Sequence, residues 1–325
     1  MPAPLHWDGE RLHVLDQTRL PHEETVLTLT GARDTAEAIK RLAVRGAPLI
    51  GVAAGYGLAM EVSDRPDLAA LEAGAEILRT ARPTAVNLMW AVDRVKTAAL
   101  QAGPVRMAGA ARAEAEAIER EDIAASKALA RHGADVLDAA LGTREGPVRV
   151  MTHCNSGALA ASGRGTGLGV ILELADRRPV EVIACEARPL LQGARLTAWE
   201  LAKAGVPHAL CVDGAAAGLI RTGHVDAVVT GFDRVAANGD VANKVGTYPL
   251  ALAANAAGIP FIAAGPSSSI DPDTPTGDGI EIEERGADEV LRDWAPAGTQ
   301  VRNPAFDVTP HELVWALVTE TGVRR

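Results

Sequence analysis

Two residues stand where side-chain chemistry is expected. Cys154 lies just past the apolar run Val148 to Met151, in the stretch Met151-Thr152-His153-Cys154-Asn155-Ser156-Gly157. Asp233 lies just past another apolar run, 226–231, in Gly231-Phe232-Asp233-Arg234. A Cys at a helix N-terminus has its pKa lowered. An Asp enclosed in an apolar pocket has its pKa raised and keeps its proton at neutral pH. Such a pair can take a proton from one carbon and return one to a neighbouring atom. The plainer readings are a packed thiol at Cys154 and a buried Asp233–Arg234 ion pair, and spacing alone leaves them open. His153 reads as structural or orienting.

Three cations have neighbours suited to an anion. In Arg45-Gly46-Ala47-Pro48, Gly46 lets the backbone turn and Pro48 suits the first turn of a helix, so Arg45 stands beside a helix N-terminus. Arg79-Thr80-Ala81-Arg82-Pro83-Thr84 repeats that design around Arg82, with Thr84 as a cap. Lys244 falls at what reads as a helix start, where the dipole does not favour a cation, and that placement favours a ligand role. A helix joint with a surface Arg is the competing reading of Arg45. Phosphate is the anion these residues and the Gly-rich or Ser-rich loops would suit.

The positioning elements follow from hydropathy. Apolar runs at 148–152, 180–185, 208–212, 226–231 and 260–264 are each followed by polar or Gly-rich residues and then a helical pattern. That is a βα series around a buried parallel sheet, whose strand tips share one edge. The tips present His153-Cys154-Asn155, Glu186-Ala187-Arg188-Pro189 with Gln192-Gly193, Asp213-Gly214, Asp233 with Asn243-Lys244, and Gly265-Pro266-Ser267-Ser268-Ser269. The segments Glu281 to Arg285 and Asn303 to Pro310 add polar edge, and Thr309-Pro310-His311-Glu312 predicts a capped closing helix. The first half opens with a hairpin, Leu5-His6-Trp7 and Arg11 to Leu15, and a short strand from Thr25 to Leu29. Helices follow, the first capped by Asp34 and the last running from about Val105 to Leu141. Gly142 to Pro147 is the break. The fold class is therefore α/β: a Rossmann-like domain with a parallel sheet over 146–325, and a smaller, mostly helical domain with a short antiparallel sheet over 1–145.

Gly163-Arg164-Gly165-Thr166-Gly167-Leu168-Gly169 looks like a dinucleotide fingerprint, with Glu186 as the ribose acid. Leu168 occupies the third Gly position, however, and the glycines start some ten residues after the strand, so a nucleotide is not expected.

Bulk properties narrow the class. The chain has 325 residues, 47% hydrophobic and only 3% aromatic, so its core is built from Ala, Val, Leu and Ile. A net charge of -10 argues against nucleic acid or an anionic membrane as the main partner. The start lacks a signal-peptide pattern and no run of about 18 apolar residues occurs, so a cytoplasmic location is expected. Cys154, Cys185 and Cys211 are too few and too scattered for a disulfide framework or a zinc site, and the last two read as packed thiols.

The motifs together resemble the methylthioribose-1-phosphate isomerases. They are Arg45-Gly46-Ala47-Pro48 with Ile50-Gly51; Arg82-Pro83-Thr84-Ala85-Val86-Asn87-Leu88; Thr152-His153-Cys154-Asn155-Ser156-Gly157-Ala158-Leu159-Ala160; Arg188-Pro189 with Gln192-Gly193-Ala194-Arg195-Leu196-Thr197; and Asp233 to Thr247. The wider superfamily includes ribose-1,5-bisphosphate isomerases and regulatory subunits of a translation-initiation exchange factor. The resemblance implies isomerisation of 5-methylthioribose 1-phosphate to 5-methylthioribulose 1-phosphate in methionine salvage, by a homodimer without metal or nucleotide cofactor. It implies that Cys154 is the catalytic thiol and Asp233 the acid/base. Arg45, Gly46, Ala47, Arg82, Gln192, Asn243 and Lys244 would hold the substrate. Ala187 stands where Thr is expected, and Phe232 where a smaller residue is usual, which bears on the 5-substituent. A ribose 1,5-bisphosphate or 5-deoxyribose 1-phosphate isomerase and a non-catalytic regulatory subunit are the alternatives. A binding-only relative has no need to keep Cys154 and Asp233 with the whole phosphate constellation.

Overall fold

The computed structural model describes residues 3–82, 85–296 and 298–325. Pro83 and the expected cap Thr84 lie outside the described residues. The chain opens with β1 (Leu5–Trp7), β2 (Leu12–Leu15) and β3 (Val26–Leu29), an antiparallel sheet in that order. Five helices follow: α1 (Ala32–Lys40), α2 (Ala47–Asp64), α3 (Leu68–Arg79), α4 (Val86–Ala102) and α5 (Met107–Leu141). Helix α1 is capped at Gly31 instead of Asp34, whose carboxylate accepts from the Thr30 N–H and hydroxyl just before the helix. Helix α2 is apolar on almost every face because α1, α3, α4 and α5 all pack on it. Its Leu49, Val52, Tyr56 and Leu58 share a core with Leu88 and Val92 of α4 and Ile118 of α5.

Helix α5 is long enough to serve two cores. Past Ile118, its Leu129, Ala134 and Leu137 join a second core that includes Val148 and Val150. The βα series then runs β4 (Val148–Thr152), α6 (Gly167–Ala175), β5 (Val180–Cys185), α7 (Ala198–Ala204), β6 (His208–Cys211), α8 (Ala216–Arg221), β7 (Ala227–Thr230). It continues through β8 (Arg234–Ala236), β9 (Val241–Lys244), α9 (Thr247–Ala257), β10 (Phe261–Ala264), β11 (Ile270–Asp271) and α10 (Asp288–Leu291). The last elements are β12 (Phe306–Thr309), β13 (Ala316–Thr319) and β14 (Gly322–Arg324).

The main sheet has the order β14-β13-β10-β7-β4-β5-β6, parallel except for β14. Both faces are covered. Val148, Val150 and Val229 enter the core under α5 and α6, whereas Met151, Val228 and Phe261 enter the opposite one with Ile220 of α8 and Leu250 of α9. That two-sided burial explains the continuous apolar runs. From β4 the chain winds outward to β5 and β6, then returns to the other side of β4 as β7 and winds on to β10 and β13. The order therefore reverses between β4 and β7, which is where such sheets open a crevice.

Two expectations fail here. The C-terminal segment is not a closing helix: a single 3₁₀ turn, His311–Leu313, leads into β13 and β14. A short apolar run such as 314–318 fits a buried strand and a helix turn equally, and a free parallel edge beside β10 decides it. A second small sheet, β11-β8-β9-β12, was not expected; its strands of two to four residues carry too little pattern to stand out.

Candidate active site

The site is assembled around the β4–β7 crevice. Strand β4 ends at Thr152, and Cys154 turns the chain in a left-handed conformation, φ 60°. A non-glycine residue held there needs support from its surroundings. The hydroxyl of Thr197 donates to the Cys154 carbonyl at 2.6 Å, and the fully buried Glu200 of α7 accepts from the Ala158 N–H at 2.7 Å and from Asn155 Nδ2 at 2.7 Å. Asn155 in turn grips Arg45: Nη1 donates to the Asn155 carbonyl at 3.1 Å, Nη2 to its side-chain oxygen, and Nε to Gln17 Oε1 at 3.0 Å. The chain Glu200, Asn155, Arg45, Gln17 thus fixes both the cysteine loop and one cation. A helical Glu on so short a segment reads as a surface residue, and nothing in its spacing flags it.

Cys154 does not sit at a helix N-terminus, as α6 begins only at Gly167. The intervening loop folds back on itself through glycines. At Gly165 (φ 88°) a Cβ would fall on the backbone of Gly157, and at Gly46 (φ 95°) on the backbone of Ala160. The latter close approach seats the N-terminus of α2 on the cysteine loop. Gly165→Ala is expected to destabilise the protein by roughly 3 kcal/mol through this clash and the strained φ; chemical denaturation that leaves the midpoint unchanged would contradict it. These glycines serve close packing, in line with the rejection of a dinucleotide loop.

From β7 the chain passes through Gly231 and Phe232 to Asp233, whose N–H donates to the Ala242 carbonyl at 3.0 Å. Arg234 pairs with Asp271, so the Asp233–Arg234 ion pair does not form. The unusual Phe232 is accommodated by Gly265: a Cβ there would come within 2.7 Å of its ring. Lys244 is the last residue of β9, not the first of a helix; α9 starts at Thr247. Its ammonium donates to the Ala305 carbonyl at 2.8 Å and lies 5.0 Å from the Phe306 ring centre. Phe306 faces Lys244 across the β9–β12 ladder.

All nine residues proposed from sequence line one cleft, partly open to solvent: Arg45, Gly46, Ala47, Arg82, Cys154, Gln192, Asp233, Asn243 and Lys244. Arg285 also lines it, a residue assigned only to a polar edge segment. Arg82 bonds Glu283 at 3.0 Å, and Arg285 bonds the same carboxylate at 2.8 Å. For Glu283, burial would raise the pKa, but the two guanidiniums outweigh it and hold the carboxyl below its usual range. On the residues that line the cleft, Gln192 Oε1, Arg82 Nε and His153 Nδ1 are buried with no hydrogen-bond partner among the described residues. Unpaired groups of this kind are costly and rare, and they suit a polar ligand.

The electrostatics follow from enclosure. Burial pushes the Cys154 thiol up, with Lys244 and Arg45 pulling it back. Burial likewise pushes the Asp233 carboxyl up, against Lys244, Arg82 and Arg45. Burial lowers Lys244 and Arg45, opposed by Cys154 and Asp233. The thiol is thus raised where a helix-start reading predicted it lowered. An otherwise acidic protein here concentrates cations around one thiol and one acid, which is the arrangement for binding an anion and moving a proton beside it.

His153 has its Nε2 on the Val245 carbonyl at 2.8 Å, consistent with an orienting role. Cys185 and Cys211, 26 residues apart, meet in register on β5 and β6 with their sulfurs 3.9 Å apart. The spacing that made them look scattered conceals this, because register depends on strand order.

The model of the initiation factor 2 subunit family matches residues 43–325, and the chain belongs to that family. Its relatives include the methylthioribose-1-phosphate isomerase of Desulforudis audaxviator, 49% identical over 98% of this chain and 93% of that protein. A probable bifunctional methylthioribose-1-phosphate isomerase/methylthioribulose-1-phosphate dehydratase of Nocardia farcinica is 50% identical over 99% of this chain, which spans 59% of its length. Among solved structures, 5-methylthioribose 1-phosphate isomerase from Pyrococcus horikoshii superposes with a TM-score of 0.89 at 38% identity, covering 99% of this chain and 92% of that one. A structure described as translation initiation factor eIF-2B subunit delta from A. fulgidus gives 0.85 at 37%, covering 99% and 95%.

Proposed function

We propose that this chain isomerises 5-methylthioribose 1-phosphate to 5-methylthioribulose 1-phosphate, the aldose–ketose step of methionine salvage. The observation that carries the reading is the single cleft in which Cys154 and Asp233, from the two strands flanking the sheet's reversal, face Arg45, Arg82 and Lys244. The phosphate dianion is held by those cations, with Gly46 and Ala47 at the start of α2 and with Gln192 and Asn243. Phosphate on the anomeric oxygen blocks simple ring opening, so the ring C–O bond must be broken with help. Asp233, whose carboxyl burial shifts toward the protonated form, gives its proton to the ring oxygen as that bond breaks. Hydrogen then passes from C2 to C1, with Cys154 beside the reacting carbons, and the C2 hydroxyl proton returns to the carboxylate. An adjoining lobe that reaches Arg82 and Asp233 has an apolar part, Ile50, Ala85, Ala242, Ile280 and Phe306, beside Arg234 and Glu281, and the apolar part is where a thioether would lie.

Lys244→Ala and Arg82→Ala should each weaken apparent substrate affinity about 10- to 100-fold, the worth of one charge-assisted hydrogen bond, with kcat less affected. Unchanged KM in both would remove the phosphate assignment. The deciding experiment is an assay of ketose formation from 5-methylthioribose, 5-deoxyribose and ribose 5-phosphate, each phosphorylated at C1. The methylthio sugar should give the highest kcat/KM. No ketose from any of the three would favour the regulatory-subunit reading that the A. fulgidus likeness keeps in view.

The chain division is placed at 145/146, after α5, whose C-terminal part from Leu129 on already packs in the second core. The protein acts as a cytoplasmic homodimer without a nucleic-acid partner in this reading. Leu210 and Val212, exposed at the β6 edge of the sheet, support a covering second copy, and none of the described helices is long and apolar enough to cross a membrane.

A further inference from the structure

We propose that His153, Cys185, Cys211 and Asp213 form a binding site for one divalent transition-metal ion, zinc by preference, across the carboxyl ends of β4, β5 and β6. The site adjoins the cleft through His153, which also lines it, but its test does not depend on turnover.

The donor atoms already converge. The free ring nitrogen of His153, the sulfur of Cys185 and a carboxylate oxygen of Asp213 lie within 4.8 Å of one another. His153 Nδ1 is 3.9 Å from Asp213 Oδ1. Cys211 adds a fourth donor 3.9 Å from the Cys185 sulfur, since the two residues are opposite each other on parallel strands. A tetrahedral ion with Zn–S near 2.3 Å and Zn–N near 2.0 Å sets its ligands roughly 3.3–3.8 Å apart, so the His153, Cys185 and Asp213 atoms must draw in from within 4.8 Å of one another and Cys211 must swing toward them from its place beside Cys185. Two sulfurs with one imidazole and one carboxylate suit zinc better than magnesium or calcium.

An independent observation points to a ligand. The His153 side chain is 1% exposed, and its Nδ1 has no hydrogen-bond partner among the described residues. The Val245 carbonyl takes the Nε2 proton at 2.8 Å. That leaves Nδ1 as the unprotonated, lone-pair-bearing nitrogen, with its partner N–H on a backbone carbonyl, the outer-shell arrangement that metal-bound imidazoles use. Burial lowers the pKa of this ring and keeps it neutral. Asp213 is likewise held, accepting from the Ala187 N–H at 2.9 Å and the Arg188 N–H at 2.7 Å. Each oxygen keeps a further lone pair. An entry path exists, because Cys211 is only partly buried and the Asp213 side chain is 30% exposed.

Binding would release the two thiol protons to solvent and exchange two S–H bonds for two metal–sulfur bonds, with no change of oxidation state. The ion would pin three strand ends and, through His153 and the Val245 carbonyl, brace the residue next to Lys244.

The test uses the full-length protein, reduced and stripped with a chelator, then titrated with Co²⁺ alone and afterwards with Zn²⁺. One Co²⁺ per chain is expected, with a near-ultraviolet thiolate-to-cobalt band and the visible bands of a tetrahedral ion, all lost on adding Zn²⁺. Cys185→Ser and Cys211→Ser should each remove charge-transfer intensity, and Zn²⁺ should raise the unfolding temperature of the unsubstituted protein only. The proposal is overturned if the unsubstituted protein gives no thiolate–cobalt band while thiol titration finds Cys185 and Cys211 free. It is equally overturned if cobalt binds the double Ser variant as well as it binds the original, or if the cysteines form a disulfide whose reduction restores no metal binding. The spectrum of the unsubstituted protein decides the matter even if a variant fails to fold.

Discussion

Cys154→Ser is expected to cut kcat by about 10²–10⁴-fold, the usual worth of a positioned proton-handling group, with KM within a few-fold of the original. The substitution exchanges sulfur for oxygen at a site enclosed by the cysteine loop, so the loop's own bonds survive. The Thr197 hydroxyl still meets the residue's backbone carbonyl, and Glu200 still holds Asn155 and Ala158. What changes is acidity and polarizability beside the reacting carbons. A hydroxyl is far harder to ionise than a thiol, and burial that already raises the thiol would raise it further. Arg45, Arg82 and Lys244, the cations proposed to hold the phosphate, are untouched, so binding should be kept. Steady-state kinetics of ketose formation, with a thermal melt to confirm folding, checks this. Turnover near that of the original protein would take Cys154 out of the mechanism and return it to a packed thiol.

How much of this was legible in advance depends on which physical signal each feature leaves. Strands buried on both faces leave continuous apolar runs, so β4, β5, β6, β7 and β10 stood out, and with them the tips that carry Cys154 and Asp233. Strand order leaves no such trace. That β4 and β7 are neighbours, and that Cys185 faces Cys211, follows from long-range pairing that local pattern does not encode. The C-terminal run that becomes β13 is too short for periodicity to separate strand from helix. Lys244 reads as a helix start because only Val245 and Gly246 separate β9 from α9, and Gly246 is the one punctuating signal there. Glu200 and Gln17 were missed for another reason: their partners Asn155 and Arg45 are 45 and 28 residues away in sequence. A buried carboxylate on a short helix looks like a solvated one until its surroundings are known. The motif resemblance named residues that the fold brings into one cleft where pattern alone left the alternatives open, and the family match over residues 43–325 agrees with that resemblance.

Asp233→Asn is expected to lower kcat by a similar factor of about 10²–10⁴, and in addition to change the shape of the pH profile. The amide has the size of the carboxyl, and the backbone bond from residue 233 to the Ala242 carbonyl does not involve the side chain. The cleft therefore persists and substrate still binds. What the proposed mechanism then loses is proton donation to the ring oxygen. The sign of the pH effect follows from the direction of the shift. Burial raises the Asp233 carboxyl above its ordinary value, so the proton is retained to higher pH than on an exposed Asp and is lost as pH rises through the raised pKa. A bound phosphate dianion nearby pushes in the same direction, because like charge disfavours ionisation. Turnover by the unsubstituted protein should consequently hold on the acid side of that pKa and decline on the alkaline side. The residual rate of Asp233→Asn should lack that decline, since an amide has no proton to lose in this range. Profiles of kcat against pH for the two proteins make the comparison. An alkaline limb of the same midpoint in both would assign it to another group and remove Asp233 as the acid. An intact rate in the variant would remove it from catalysis altogether.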